Sequence, residues 1–376
     1  MELETSNLIN LKNTKNGRIL EAYSYEKDAK HIIKFLNTML GIINIFLIIS
    51  LFIIFILNKI KDIISWLNWS FFGAVQKDLK YYQDIQYRFC DNFHNLYDLE
   101  LENNIILFNA KLNDRRFDMF IYDKYDYYSL QIQLNQSFEG EATLKMLNAL
   151  EYYVDKWDCL NDDLVIIDIG GNVGWFTMFF GTLKYTILSF EPLSKNDYLL
   201  KKNFCRNIKE FAEGSSSVTI VNEALYPIET YCDYYEDSKN SKKNLILCDK
   251  SKEKNLEQGY IKIDTIKANK LSNFIPLITS KRLTLLRLDL EYEGEMAIES
   301  GKELISKYHI PFVFVELNIL MFALHETRPQ DFLRFFTKNG YKISLEGFLS
   351  EKFITVEDIM KTDFVTINLY FIYFGD

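Results

Sequence analysis

Leu164-Val165-Ile166-Ile167-Asp168-Ile169-Gly170-Gly171-Asn172-Val173-Gly174 is an apolar run that ends in an acidic residue and a glycine-rich turn. The run has the length of a buried strand, and residues 175–183 have the apolar spacing of a helix. A strand, a tight loop and a helix in this order bring backbone N–H groups and a helix N-terminus close to a polar ligand. Asp168 and the loop residues Gly170, Gly171, Asn172 and Gly174 are therefore candidate ligand-binding residues.

The next strand, predicted over residues 185–190, ends in Glu191 and a proline. Glu191 follows the loop by ~20 residues, the offset at which doubly wound folds place a carboxylate on the hydroxyls of an adenosine ribose. A dinucleotide fingerprint would read G-x-G-x-x-G, whereas here Asp168 precedes the first glycine. A carboxylate there repels a pyrophosphate but suits a cationic ligand without phosphate. S-adenosylmethionine is such a ligand.

Five segments resemble, in order, the motifs of the FkbM family of S-adenosylmethionine-dependent methyltransferases: residues 168–174, 189–192, 199–203, 263–266 and 285–291. The resemblance implies a class I methyltransferase fold, a doubly wound, Rossmann-like sheet of seven strands. It also implies methylation, mostly O-methylation of sugars or natural products. The family usually reads Asp-x-Glu-Gly after its fourth strand, whereas this chain has Asp289-Leu290-Glu291-Tyr292.

Charge and cysteine content exclude some classes of function. The net charge of -9 argues against a nucleic-acid-binding surface. The cysteines form no C-x-x-C pair and have no metal-ligand spacing with the histidines, so we expect no metal. They are expected to be ordinary thiols, since their odd number argues against a full disulfide framework. They are Cys90, Cys159, Cys205, Cys232 and Cys248.

An apolar run near the N-terminus predicts a membrane anchor. Residues 39–57 contain no charged side chain and are flanked by Lys34, Lys59 and Lys61. A bilayer-spanning helix needs ~20 apolar residues, and a soluble core helix rarely stays apolar on all sides for so long. We predict a flexible tail over residues 1–35 and a single transmembrane helix within residues 36–64. A buried core helix and a cleaved signal peptide are the alternatives.

The lysines beside this run indicate its orientation. Lys27, Lys30 and Lys34 precede it and Lys59 and Lys61 follow it, which favours a cytoplasmic N-terminus. The catalytic part would then be luminal, in the endomembrane system. The glycosylation acceptor pattern Asn135-Gln136-Ser137 is compatible with a lumen.

Residues 65–157 are predicted to form a small α+β pre-domain. Strands over residues 105–110 and 117–122 would form a hairpin, and a helix is expected over residues 141–153. The family resemblance implies that this segment covers the cofactor. Glu139 and Glu141 could face the cofactor, or they could be solvated residues of a helix N-terminal turn.

Residues 158–376 alternate strands and helices, which predicts a parallel sheet with right-handed crossovers. Residues 341–345 and 364–370 would add two last strands, one of them antiparallel. The lysine-rich residues 238–257 interrupt the alternation and are predicted to be an exposed loop. The core strands are expected over residues 165–169, 186–190, 218–221, 283–288 and 311–316.

The candidate catalytic residues follow the fourth core strand. Asp289 and Glu291 lie at the edge where open α/β sheets bind ligands. Methyl transfer to a hydroxyl needs the acceptor in line with the S–CH₃ bond and a base for its proton. We place Asp289 near the transferred methyl and assign Glu291 as candidate base, with His325 as a weaker one. Alternatively, Asp289 caps the turn and Glu291 pairs with Arg287 or Lys302.

The sequence therefore predicts a membrane-anchored, S-adenosylmethionine-dependent O-methyltransferase that acts on a glycan or another hydroxyl-bearing acceptor. The first alternative is a membrane-tethered scaffold that keeps the fold without the activity. The altered Asp-x-Glu-Gly motif favours this alternative, whereas the intact loop and Glu191 argue against it. A nicotinamide-dependent oxidoreductase would need a glycine in place of Asn172 or an equivalent path for the pyrophosphate.

Overall fold

The computed structural model describes residues 34–41, 50, 80–92, 104–123, 126–211, 217–237, 244–256, 259–277, 281–289, 294–319, 322 and 327–375. These residues belong to two compact units, of which the first ends at Phe71. In the first unit, residues 34–41 are helical. Among the described residues, no helix has both the length and the apolar character needed to cross a bilayer. The predicted tail and most of the predicted anchor, residues 1–33, 42–49 and 51–64, lie outside them.

The second unit contains both strands and helices. In chain order its strands are β1 (Ile105–Leu112), β2 (Arg115–Tyr122), β3 (Leu164–Ile169), β4 (Thr186–Phe190), β5 (Val218–Val221), β6 (Ala224–Leu225), β7 (Thr230–Asp237), β8 (Asn244–Leu247), β9 (Tyr260–Asn269), β10 (Arg282–Asp289), β11 (Phe312–Asn318), β12 (Tyr341–Ser344) and β13 (Thr366–Tyr373). Its helices are α1 (residues 80–92), α2 (Tyr127–Asn135), α3 (Gly140–Trp157), α4 (Trp175–Thr182), α5 (Ser194–Phe211), α6 (Gly294–Ser300), α7 (Lys302–Tyr308), α8 (Pro329–Lys338) and α9 (Val356–Ile359).

A seven-stranded mixed sheet is the centre of this unit, in the order β12-β13-β11-β10-β3-β4-β5. Strand β13 is antiparallel to β11 and β12, and the other neighbouring pairs are parallel. The predicted doubly wound α/β sheet of seven strands with one antiparallel strand is therefore confirmed. The carboxyl ends of β3, β4, β10 and β11 meet at one edge, where such sheets bind ligands.

Strand β3 is buried along its whole length because both faces of the sheet are covered. Leu164 and Ile166 point into the core on one face, with α4 and α5. Val165, Ile167 and Ile169 point into the core on the other face. This alternation follows from the two-residue period of a strand.

A second sheet, with four strands in the order β6-β9-β7-β8, corrects the prediction of an exposed loop over residues 238–257. Residues 244–247 form β8, and Leu245, Ile246 and Leu247 are buried. The apolar segment is short and charged residues surround it, so its strand character was not recognised. Residues 238–243 and 257–258 lie outside the described part.

The prediction of five ordinary thiols is wrong. Disulfides join Cys90 to Cys205 and Cys232 to Cys248, and Cys159 is free. The partners are 115 and 16 residues apart in sequence. The fold brings these cysteines together, and their spacing in the sequence alone could not reveal the pairing. The predicted hairpin, β1 with β2, is present.

Candidate functional site: two clefts at the carboxyl edge of the sheet

The glycine-rich loop lies against the carboxyl ends of β4 and β10. The N–H groups of Gly170 and Gly171 both donate to the carbonyl of Phe190, at 3.0 and 2.9 Å. Gly170 has a φ of +85°, and a Cβ there would lie 3.0 Å from the Cβ of Asp289. Gly174 also has a positive φ, +99°. Glycine is therefore needed for both the turn and its close approach to Asp289.

Glu191 lies buried at the end of β4 and supports the same loop. Its carboxylate accepts hydrogen bonds from the N–H of Asn172 at 2.7 Å and of Leu193 at 2.9 Å. Burial raises the pKa of Glu191 to about 8, although these two N–H donors oppose the rise. Its predicted contact with a ribose stays a prediction. The structure places Glu191 next to Asn172 and the glycines of the loop.

Asp168 faces the interior beneath the loop, where we had expected it to face the ligand. One carboxylate oxygen accepts from Arg287 at 3.0 Å and the other from Thr177 at 2.7 Å. Arg287 also donates to the carbonyl of Gly170 at 2.8 Å, and its guanidinium carbon lies 4.0 Å from the Phe176 ring centroid. Asp168 can thus act on the loop through Arg287, rather than by direct contact with a ligand.

Arg287 is the central residue that the sequence interpretation missed. It had been considered only as a partner of Glu291. A charged residue inside an apolar strand was the signal that could have revealed it. Such a residue needs a buried counter-charge, so Arg287 could have been expected to have an acidic partner. Here Asp168 and Asp289 provide that charge.

Asp289 lies where the loop, the sheet and the pre-domain meet. Its Oδ2 accepts from Arg287 at 3.2 Å and from the Tyr128 hydroxyl at 3.3 Å. Its Oδ1 has no hydrogen-bond partner within the described part of the chain, although the side chain is only 6% exposed. Burial raises the pKa of Asp289, and the positive charge of Arg287 opposes the rise.

A cleft of about 50 Å³ opens beside Asp289 and the glycine loop. Its wall is mostly apolar and includes two carboxylates, Asp289 and Glu223; none of its described lining residues is cationic. The Oε2 of Glu223 also has no partner within the described residues. The two carboxylate oxygens without a donor suit a ligand that brings N–H or O–H groups or a positive charge, and they do not suit a pyrophosphate, whose oxygens are acceptors. The lining residues are Ile169, Gly170, Phe190, Pro192, Glu223, Ala224, Leu225, Ile246, Asp289 and Ala297.

A larger cleft, of about 340 Å³, lies between α2, the start of α3 and the ends of β11 and β13. Hydroxyl, amide and carboxylate groups line it, together with two tyrosines, and again none of its described lining residues is cationic. The residues are Tyr127, Tyr128, Gln131, Asn135, Ser137, Phe138, Glu139, Gly140, Glu141, Ala142, Glu316 and Asn368.

The two predicted acidic residues of the pre-domain have different surroundings. Glu139 is partly buried and hydrogen-bonded to Glu316. Burial raises the pKa of Glu139, and the charge of Asp289 adds to the rise, whereas Arg287 opposes it. Glu141 is exposed and pairs with Lys145 at 2.7 Å, as a solvated residue of a helix first turn does. Glu291 and His325 lie outside the described residues.

Residues 168–343 match the family model of the methyltransferase FkbM domain. The predicted resemblance to the FkbM methyltransferase family is confirmed over these residues. S-adenosylmethionine is the cofactor of this family, which also confirms the predicted cofactor.

Several solved methyltransferases are distantly similar. The methyltransferase FkbM of Methylobacillus flagellatus KT has 15% identity over 66% of this chain and 56% of its own, with a TM-score of 0.35. The bifunctional kinase-methyltransferase WbdD has 11% identity over 61% of this chain and 38% of its own, with a TM-score of 0.34. Magnesium protoporphyrin IX methyltransferase of Synechocystis PCC 6803, solved with bound SAH, has 9% identity, coverage of 66% and 88%, and a TM-score of 0.32.

The chain thus spans about half, or less, of the length of the first two structures. Likenesses this distant say nothing about substrate. No curated protein matches the chain.

Proposed function

We propose that this protein transfers a methyl group from S-adenosylmethionine to a hydroxyl of a glycan or another hydroxyl-bearing acceptor. One observation carries the proposal. Tyr128 lines the larger cleft, and its hydroxyl donates to Asp289, which lines the smaller one. The two clefts therefore meet at this pair, as donor and acceptor sites of a transferase must.

The smaller cleft is assigned to the cofactor, which supplies a methyl group on a sulfonium when it is bound. Gly170, Gly171, Asn172 and Gly174 shape the loop beside it, and Glu191 is the candidate acceptor for ribose hydroxyls. The free Oδ1 of Asp289 adds negative charge to the same wall. Asp168 and Arg287 hold the loop and Asp289 in place from below.

The larger cleft is assigned to the acceptor. Its amide and carboxylate groups can bind sugar hydroxyls, and its tyrosines offer apolar faces to a sugar ring. Its acidic lining disfavours phosphorylated or carboxylated acceptors. This character supports a neutral polyhydroxylated acceptor.

Glu139 is the candidate base among the described residues. It lines the acceptor cleft, and a carboxylate with a raised pKa is a better proton acceptor than an ordinary one. In the proposed step the proton of the acceptor O–H passes to Glu139, and the hydroxyl oxygen forms an O–CH₃ bond. The S–CH₃ bond of the bound cofactor would break at the same time, with its electron pair going to sulfur, to give S-adenosylhomocysteine. Glu291 keeps its place as the alternative base.

The test is transfer of labelled methyl from S-adenosylmethionine to a panel of neutral glycans by the full-length protein. Glu139→Gln is expected to lower the rate by about 100-fold, the usual contribution of a general base. Glu151→Gln, at an exposed position of the same helix that does not line the cleft, is the control and should leave the rate unchanged. Binding of S-adenosylhomocysteine without transfer to any glycan would favour the scaffold alternative.

We further propose that the protein is a single-pass membrane protein whose catalytic unit faces an oxidising lumen. The uncharged run over residues 39–57 supports the anchor, and the two disulfides support the oxidising compartment. The glycosylation pattern lends no support, because Asn135 lines the acceptor cleft and Ser137 is buried. Protease treatment of sealed microsomes tests the orientation: a C-terminal tag should stay protected until detergent is added.

A further inference from the structure

Helix α1 lies along the outer strand of the seven-stranded sheet and forms hydrogen bonds with it. Strand β5 is the last strand of the order and has one free edge. The fully buried Gln86 fills this edge: its Nε2 donates to the Val218 carbonyl at 3.1 Å and its Oε1 accepts from the Ile220 N–H at 3.0 Å. Gln83 donates to Thr219 at 3.0 Å. An unpaired strand edge is unfavourable when buried, so α1 is a fixed part of the fold.

One end of α1 is held by a covalent bond. Cys90, near its C-terminal end, forms the disulfide with Cys205 of α5. Both cysteines are buried, at 2% and 1% exposure. The helix is therefore fixed to the sheet edge and to the layer of helices beside it.

The other end of α1 reaches the cofactor cleft. The hydroxyl of Tyr82 donates to Oε1 of Glu223, which also accepts from Lys267 at 2.9 Å. Glu223 lines the cofactor cleft, its side chain is 6% exposed, and its Oε2 has no partner within the described residues. A buried carboxylate oxygen without a donor costs free energy that a ligand N–H or O–H would recover.

A second contact leads from Tyr82 to the same cleft. Its ring centroid lies 6.2 Å from that of Phe274, which packs edge-on against Phe190 at 4.9 Å. Phe190 forms part of the cleft wall. Tyr82 thus contacts Glu223, a polar residue of the cleft wall, and Phe274, an apolar residue that packs against the wall.

We propose that α1 is a part of the cofactor site. Tyr82 is a positioning residue that aims Glu223 into the cleft, and the Cys90–Cys205 disulfide keeps Tyr82 in place. Cofactor affinity therefore depends on the formation of this disulfide. The inference rests on the proposed function only in that the small cleft binds the cofactor.

The test is calorimetric titration of the full-length protein, in detergent, with S-adenosylhomocysteine. Tyr82→Phe should weaken binding by about five- to tenfold, the effect of one ordinary hydrogen bond. Tyr81→Phe is the matched control, because Tyr81 is the adjacent tyrosine and is 61% exposed, and it should bind as the wild type does.

A double-mutant cycle separates positioning from a general loss of structure. If Tyr82 acts through Glu223, the variant with both Tyr82→Phe and Glu223→Gln should bind no more weakly than Glu223→Gln alone. A merely structural role would instead lower the unfolding temperature and leave the dissociation constant unchanged. The variant with Cys90→Ser and Cys205→Ser should also bind more weakly, whereas Cys159→Ser should not.

The outcomes distinguish this inference from the proposed function. Wild-type affinity in Tyr82→Phe, or independent losses in the double variant, would overturn the positioning role even if the cysteine variant fails to fold. Absence of binding by the folded wild-type protein would instead remove the cofactor assignment itself.

Discussion

Arg287 brings a full positive charge into a strand that is otherwise apolar. Its guanidinium is 3% exposed and lies between Asp168 and Asp289, and it also binds the carbonyl of Gly170. The glycine-rich motif that contains Asp168 was recognised from sequence because the motif is local. The partner of Asp168, Arg287, was not recognised because the two residues are 119 positions apart along the chain. The acidic residue before the glycines is thus part of a buried network beneath the loop.

Replacement of Arg287 should strongly destabilise the folded protein. Arg287→Leu leaves two buried carboxylates without a counter-charge, and we expect a loss of ~3–5 kcal/mol in the free energy of unfolding, measured by urea denaturation. Arg334→Leu is the control, because the Arg334–Glu357 pair is 48% and 63% exposed and should contribute ~1 kcal/mol or less. Equal losses in both variants would contradict the network.

Glu191 should make stability depend on pH. Burial raises its pKa from 4.5 to about 8, and the negative charges of Asp197 and Asp289 add to the rise, although the N–H groups of Leu193 and Asn172 oppose it. The folded protein then binds a proton that the unfolded chain has released. This stabilisation is fully present below about pH 4.5 and is lost as the pH rises through about 8.

The comparison is therefore urea unfolding of the wild type and Glu191→Gln between about pH 5 and about pH 8. The wild type should lose stability relative to Glu191→Gln as the pH increases. Glu141→Gln, at an exposed position, should follow the wild type. A constant difference between wild type and Glu191→Gln across this range would show that Glu191 does not bind the proton.

At the scale of elements, the sequence predicted those parts whose signals are local. The loop, the strand ends and the final antiparallel strand follow from apolar runs, glycines and prolines. The four-stranded sheet was missed because β8 is only four residues long and lies among charges. The larger cleft was missed because α2 and β13 form it together, and Tyr128 and Asp289 are 161 residues apart.

The prediction at the scale of elements concerns the glycine-rich loop and its effect on cofactor affinity. Gly170→Ala would strain a backbone with φ of +85° and press against Asp289, so we expect affinity for S-adenosylhomocysteine to fall by about tenfold or more. Gly347→Ala is the matched control: its φ is +134°, and its Cβ would meet only the flexible side chain of Lys145. The control should lose stability and keep its affinity. Equal affinity in both variants would contradict the placement of the cofactor beside the loop.

At the scale of the molecule, the two disulfides support the proposed oxidising compartment. The Cys90–Cys205 bond closes a loop of more than 100 residues and contributes ~4–5 kcal/mol in the chain-entropy estimate. Such bonds form in oxidising compartments and seldom persist in the cytosol. This agrees with the proposed luminal location of the catalytic unit.

Thiol titration of the denatured protein, expressed in its proposed compartment, checks whether the two disulfides form. Without reductant only Cys159 should react, whereas after reduction the other cysteines should react as well. Reaction of all five before reduction would contradict both the disulfides and the assigned compartment.

The central claim is that the carboxyl edge of this sheet binds S-adenosylmethionine, and calorimetric titration of the full-length protein tests it most directly. Saturable binding of S-adenosylmethionine and S-adenosylhomocysteine, with none of NAD, is the predicted result, since the acidic cleft suits a sulfonium and repels a pyrophosphate. Binding of NAD, or no binding of either adenosyl ligand by protein shown to be folded, would contradict the account.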